Sequence, residues 1–470
     1  MKIRRLLPSL LLPLLFLFSG CSGSSGAQDQ SGEGGGGEIA AGLIDPQNDL
    51  AYLGAFRLPE GAGAEESWDW AGGGMTYYPG GATDGLPGSL FAVGNGVADL
   101  ISEISIPTPV NSKDLEDLNT AAIRQAFADV RGGMFQSLID SGVPEVAIQY
   151  LDHPTIGRKI HMAWGANLQD EGGDADVASH GWFDIDLGDP DPQGAWRIGS
   201  QGLYSVNDYM FEIPAAWADE HVGGRYLATG RFKDGGMGGK GPALFAYGPW
   251  LGGNPPANNA VLAEQTLLLY GKTTEGGEES YTQNTLEGYS CADEWRGGAW
   301  LESEGGNTAV VMAGTKSTGD YYWYGYVDGD SPTTPCIEED ELSFITCRTA
   351  DGQSCLAEYP NECVNRRTGK GRRASRYDAQ FIFYDPADLA GVAAGTMGSH
   401  EPQPYATLDI DEELFLSDLT ADVVETIGSG EQRKYRVNAV AYDRANNYLY
   451  VMEPFADGAR PVIHVWQVIN

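Results

Sequence analysis

Short apolar runs recur along the chain in a constant setting. They are "LFAVG" (90–94), "HMAWG" (161–165), "YLATG" (226–230), "VVMAG" (310–314) and, less perfectly, "LYVME" (449–453). Each follows a candidate strand, respectively "GGMTYYP", "EVAIQYL", "DYMFEIP", "GGAWLES" and "NAVAYD". Each is followed, across a polar and often Gly-rich loop, by an alternating strand: "SEISIP", "GWFDIDL", "ALFAYGP", "QFIFYDP" and "VIHVWQV". A fourth strand closes the first four units: "RQAFADV", "AWRIGS", "EQTLLLYG" and "QPYATLDI". Uninterrupted apolar runs predict strands covered on both faces, whereas alternation predicts strands covered on one.

The fifth unit has no fourth strand of its own, and "AYLGAFRLP" (51–59) precedes the first unit without belonging to it. A strand missing at one end and spare at the other predicts a ring. The expectation is an all-β chain forming a five-bladed β-propeller over 49–470, closed by the N-terminal strand. A β-sandwich or two separate β-domains are the rivals. A cysteine-rich loop insertion, about 325–376, swells the fourth blade. The second unit begins unclearly, which leaves room for a sixth blade near 115–150.

Composition agrees with many tight turns: 65 Gly in 470 residues, with 10% aromatic residues. A formal net charge of −37 excludes nucleic acid as a partner, because phosphate binding needs clustered Lys and Arg. It also disfavours adhesion to anionic lipid. At the start, "MKIRRLLPSLLLPLLFLFSGC" has a basic head and an apolar stretch broken by Pro8 and Pro13. That is the pattern of a secretory signal, too short and broken to span a bilayer. Its end, "LFSGC", resembles the lipobox of bacterial lipoproteins, with Phe18 where that family prefers Leu. The resemblance implies a signal peptide at 1–20, lipid on Cys21, and a flexible tether at 21–48. The membrane would then be reached through the lipid anchor only, at the outer membrane if the cell has one, since Ser22 is not the Asp of inner-membrane retention. Export makes disulfides the default for Cys291, Cys336, Cys347, Cys355 and Cys363, an odd number with no C-x-x-C spacing.

In a propeller, the loops before the innermost strands and after the second strands share one face. Two stretches before first strands match, "DWAGGGM" (69–75) and "EWRGGAW" (294–300). The match puts Asp69 and Glu294 at equivalent positions, with Trp70 and Trp295 beside them and Trp68, Asp293 and Asp208 close by. Carboxylates with indole faces suit a sugar, because acids bond hydroxyls and aromatic planes stack on C–H faces. The bland alternative is a turn in which the acids bond backbone N–H groups and the indoles pack between blades. The loop "GRFKDGGMGGKG" holds Arg231, Lys233, Asp234 and Lys240, a basic loop on an acidic chain that suits an anionic ligand, with Lys316 and Arg376 as further candidates for the same cluster. His180 and Trp182 in "SHGWFDI" are candidates for the same face, while His161 reads as a satisfied core residue.

The layout resembles five-bladed glycoside hydrolases in outline only. That resemblance would make Asp69 base or nucleophile, Glu294 the acid and Asp208 a tuning group. No metal site is expected and no cofactor is implied, although the acid-rich loops 169–180 and 186–194 offer oxygen ligands for Ca²⁺. The expected protein is thus a monomer that recognises a carbohydrate-like ligand. Glycan hydrolysis and a scaffold for another envelope protein are the alternatives.

Overall fold

The computed structural model describes residues 39–139, 144–166, 177–202, 205–231, 241–270, 284–289, 293–322, 373–417 and 436–470. Cys21, Lys233, Asp234, Lys240, the five other cysteines, residues 1–20 and most of the insertion lie outside them. After β1 (Leu50–Arg57), the first sheet holds β2 (Met75–Tyr78), β3 (Ser89–Val93), β4 (Ile101–Ser105) and β5 (Ile123–Ala128). The second holds β6 (Pro144–His153), β7 (Gly157–Ala166), β8 (His180–Phe183) and β9 (Gln193–Ile198). Next come β10 (Tyr209–Glu212), β11 (Leu227–Arg231), β12 (Ala243–Tyr247), β13 (Val261–Leu262) and β14 (Gln265–Leu269). The fourth sheet is β15 (Glu294–Glu302), β16 (Thr308–Tyr322), β17 (Arg373–Tyr384) and β18 (Ala406–Asp409). The fifth is β19 (Val440–Asp443), β20 (Tyr448–Asp457) and β21 (Arg460–Val468), with β1 at its edge.

Contacts between the first strands define the architecture. β2 meets β6, β6 meets β10, β10 meets β15, β15 meets β19, and β19 meets β2. The cycle returns to its start, so five sheets stand round an axis as the spacing of the runs predicts. The chain folds as a five-bladed β-propeller.

The apolar runs explain why the blades hold together. Val310 and Met312 of β16 enter the core shared with the third sheet, whereas Val311 and Ala313 enter the core shared with the fifth. In β20, Leu449 and Val451 face the fourth sheet while Tyr450 and Met452 face the first. A strand whose successive side chains point to opposite faces can be apolar throughout only if both faces are covered. Each side chain so buried contributes about 1.5–3 kcal/mol. The glycine ending four of the five runs also has a cause. A Cβ on Gly230 would lie 1.9 Å from the Ala243 carbonyl oxygen, and one on Gly314 would lie 2.2 Å from that of Glu294.

Three features depart from a simple repeat. β13 leaves the third sheet's connection and pairs in parallel with β9, Val261 opposite Arg197 and Leu262 opposite Ile198, giving the second sheet a fifth strand. β1 pairs antiparallel with β21, from Leu50 opposite Val468 to Arg57 opposite Val462. The last residues of the segment expected as a tether are packed: Leu43 bridges Thr308 and Ile44 is fully buried against the fourth and fifth sheets. Their apolar side chains find a groove there, so the packed chain starts before residue 49. Residues 115–139 supply β5 and a short helix leading to β6; no sixth sheet forms among the described residues.

Candidate functional site

The five first strands line one axial channel. Its upper part is bounded by Gly73, Gly74, Met75, Ala147, Ile148, Asp208, Arg296 and Ala439, among others. Its lower part is bounded by Gln149, Phe211, Glu212, Trp300, Tyr442 and Arg444. In β6, β10, β15 and β19, earlier residues line one end and later residues the other, so these strands run in the same direction along the axis. Their close approach depends on small residues: a Cβ on Gly74 would lie 2.6 Å from the Ile148 nitrogen.

Asp208 and Arg296 line the upper end, and other charged groups stand behind or beside them. Asp208 immediately precedes β10, where its N–H donates to the Gly230 carbonyl at 3.0 Å. Arg231, which ends β11, is fully buried; its Nε lies 3.8 Å from Asp208 Oδ2, and its Nη1 donates to Asn207 Oδ1 at 3.3 Å. Burying a guanidinium without such partners would be prohibitive. On β15, Arg296 Nε donates to Glu294 Oε2 at 3.0 Å. Asp293 is held firmly: its Oδ1 accepts from the Ser317 N–H at 2.8 Å and hydroxyl at 2.7 Å, and its Oδ2 from Lys316 Nζ at 2.7 Å. Lys316 also donates to the Gly288 carbonyl at 2.7 Å.

The indoles divide. Trp68 and Trp295 are buried, Trp68 against Phe127 with ring centroids 4.8 Å apart, and Trp295 in the core between the third and fourth sheets. Trp70 is 52% exposed, with a left-handed φ of 59° and its N–H donating to the Ala459 carbonyl at 2.8 Å. The matched motifs therefore share their glycine spacing but not the environment of their tryptophans. Asp69 is half-buried just outside β2.

Two candidates lie away from the mouth. His180 is fully buried, its Nδ1 at 2.9 Å from Ser179 Oγ and its Nε2 at 3.2 Å from Thr229 Oγ1, and burial lowers its pKa to about 3. Trp182 packs against Trp196 in the core between the second and third sheets, where its alternating strand turns it inward. Neither offers a face to solvent. Arg376 extends from β17 and pairs with Asp378, its Nε 2.5 Å from Oδ1.

Sequence reasoning passed over Arg296, Asn207 and Asn438. Arg296 stands where the β15–β16 register slips between Trp295 and Gly297, a bulge that turns its side chain into the channel. Asn207 lies against Gly165 and Asn438 against Gly72, so glycines of neighbouring blades make room for both carboxamides. Asn207 Nδ2 and Asn438 Oδ1 are buried and have no hydrogen-bond partner among the described residues. Among those residues, no group of three or more His, Cys, Asp or Glu is arranged to hold a metal ion. No family model matches the chain, and neither does any curated protein.

Proposed function

We propose that this propeller is a binding protein that recognises a hydroxyl-rich, carbohydrate-like ligand at the upper mouth of its channel. We further propose that lipid on Cys21 tethers it outside the cytoplasm. The observation that carries the binding reading is Trp70. A large indole, half exposed, is held in a backbone conformation uncommon for bulky residues, while Trp68 and Trp295 are buried nearby in sequence or motif. Such strain is typical of sites where a side chain must be presented. An indole face stacks on the C–H face of a sugar ring, and it does so best beside fixed hydrogen-bonding groups. Asp208 and Arg296, which line the channel, would supply such groups.

Binding is favoured over hydrolysis by how the acids are spent. Glu294 is engaged by Arg296 and Asp293 by Lys316 and Ser317, so both are held as hydrogen-bond acceptors. A glycan array probed with the full chain, followed by titration of the glycans that respond, tests the reading. Trp70→Ala should weaken binding at least tenfold without lowering the unfolding temperature, since the ring is exposed. No glycan response, or unchanged affinity in Trp70→Ala, would overturn it. Release of reducing sugar that disappears in Glu294→Gln would make the protein a hydrolase instead.

A further inference from the structure

The lower end of the channel carries a separate charged group. Glu212 ends β10, Glu302 ends β15, and Arg444 follows β19, so three blades contribute one residue each. Arg444 Nη1 forms an ion pair with Glu302, Nη2 donates to the Glu212 carbonyl at 3.2 Å, and the guanidinium lies 5.9 Å from the centre of the Tyr442 ring. The side chain of Glu212 is served less well. Arg444 Nε is 3.9 Å from its Oε2, too far for a hydrogen bond, and its carboxylate accepts none among the described residues. Gln149 spends its amide N–H on the Tyr150 carbonyl at 2.7 Å. Two carboxylates thus share one guanidinium, leaving a net charge of about −1 in a partly desolvated setting.

Glu212 and Arg444 face a pocket walled by Phe211, Trp300, Tyr442 and Gln149, with room for a group the size of about one or two water molecules. Burial raises the pKa of Glu212, Arg444 opposes the rise, and Glu302 adds to it. Those are the signs of a carboxylate short of positive charge.

We propose that the lower end of the channel is a second binding site, which takes the ammonium head of a small primary amine, with Glu212 as its counter-ion. The head fills the pocket and the rest of the amine points out of the channel. The site shares no charged residue with the upper mouth, so it stands or falls independently of the carbohydrate reading.

Calorimetric titration of the full chain with methylammonium chloride at constant ionic strength tests it, beside tetramethylammonium chloride and methanol. The first control is cationic but too large, and the second is small but neutral. Methylammonium should give saturable binding at one site per chain, and neither control should. Glu212→Gln should weaken that binding at least tenfold. If that variant does not fold, Glu302→Gln serves: it frees Arg444 to pair with Glu212 and should weaken binding likewise. The proposal is overturned if methylammonium gives no saturable heat or if the folded variant retains full affinity. Equal binding of tetramethylammonium would also overturn it, by revealing only the general pull of a chain with net charge −37 on cations.

Discussion

His161 is an imidazole sealed in the second blade with neither ring nitrogen hydrogen-bonded among the described residues. Trp182 and Trp250 meet it edge-on, at centroid distances of 5.7 and 6.2 Å. Its sequence context, an apolar strand, correctly indicates a core residue but not an unsatisfied one; hydrogen bonding depends on neighbours far away in the chain. A buried polar group without a partner costs about 1–3 kcal/mol, so His161→Leu should stabilise the protein by an amount in that range at pH 7. Burial lowers the folded-state pKa of His161 to about 3, from an ordinary value of 6.5. Below pH 6.5 the unfolded chain takes up a proton that the folded chain refuses. Stability is therefore lost as pH falls from 6.5 towards 3, by about 1.4 kcal/mol per pH unit for one such group. His180 behaves in the same direction. Urea unfolding at pH 7 and pH 5 should show the gap between His161→Leu and the parent widening at the lower pH. A gap that stays constant would mean that the ring is not held neutral by burial. At this scale Asp208 does lie on the channel wall, with Arg231 paired to it and Glu294 paired to Arg296. Trp182 and His180 do not, because strand alternation turns them into a core whose far wall belongs to another blade.

Among elements, the strands were the most legible part, since runs such as "VVMAG" announce two covered faces by themselves. The stretch "YDPADLAG" likewise carries a readable helix start: the Asp385 side chain accepts the Ala387 N–H at 2.7 Å, and Pro386 opens the helix Pro386–Ala393. β13 was not legible, being only two residues long and paired with a strand from another blade. The attachment of β1 rests on more than its ladder. Tyr52 Oη lies 2.9 Å from His464 Nδ1, and His464 Nε2 lies 2.8 Å from Glu453 Oε2. Glu453 also accepts the Phe415 and Leu416 N–H groups at 2.9 and 2.8 Å, so one buried carboxylate ties β20, β21, β1 and the segment after β18 together. Tyr52→Phe should cost about 1 kcal/mol, the value of one hydrogen bond. His464→Phe leaves a buried carboxylate short of a partner and should cost about 2–3 kcal/mol. Denaturant midpoints measure both. Equal small losses would mean that the chain Tyr52–His464–Glu453 does not hold the strand.

At the scale of the molecule, five inter-blade cores stand where five sheets meet in a cycle. Closure could be argued from sequence because one strand was missing and one was spare. The channel chemistry could not, because it depends on which side chains of five separate strands point to the axis and on a bulge that redirects Arg296. Every functional proposal uses that axis: Trp70 and the ion pairs at one end, Glu212 and Arg444 at the other. The ring in turn needs β1 seated on β21, joining the start of the packed chain to its last sheet. Residue-resolved amide hydrogen exchange on the full chain tests this most directly. The N–H groups of Leu50–Arg57 that pair with Arg460–Val468 should be protected as strongly as those of β21 and should exchange together with them. Rapid exchange throughout Leu50–Arg57 while β21 stays protected would contradict a closed propeller.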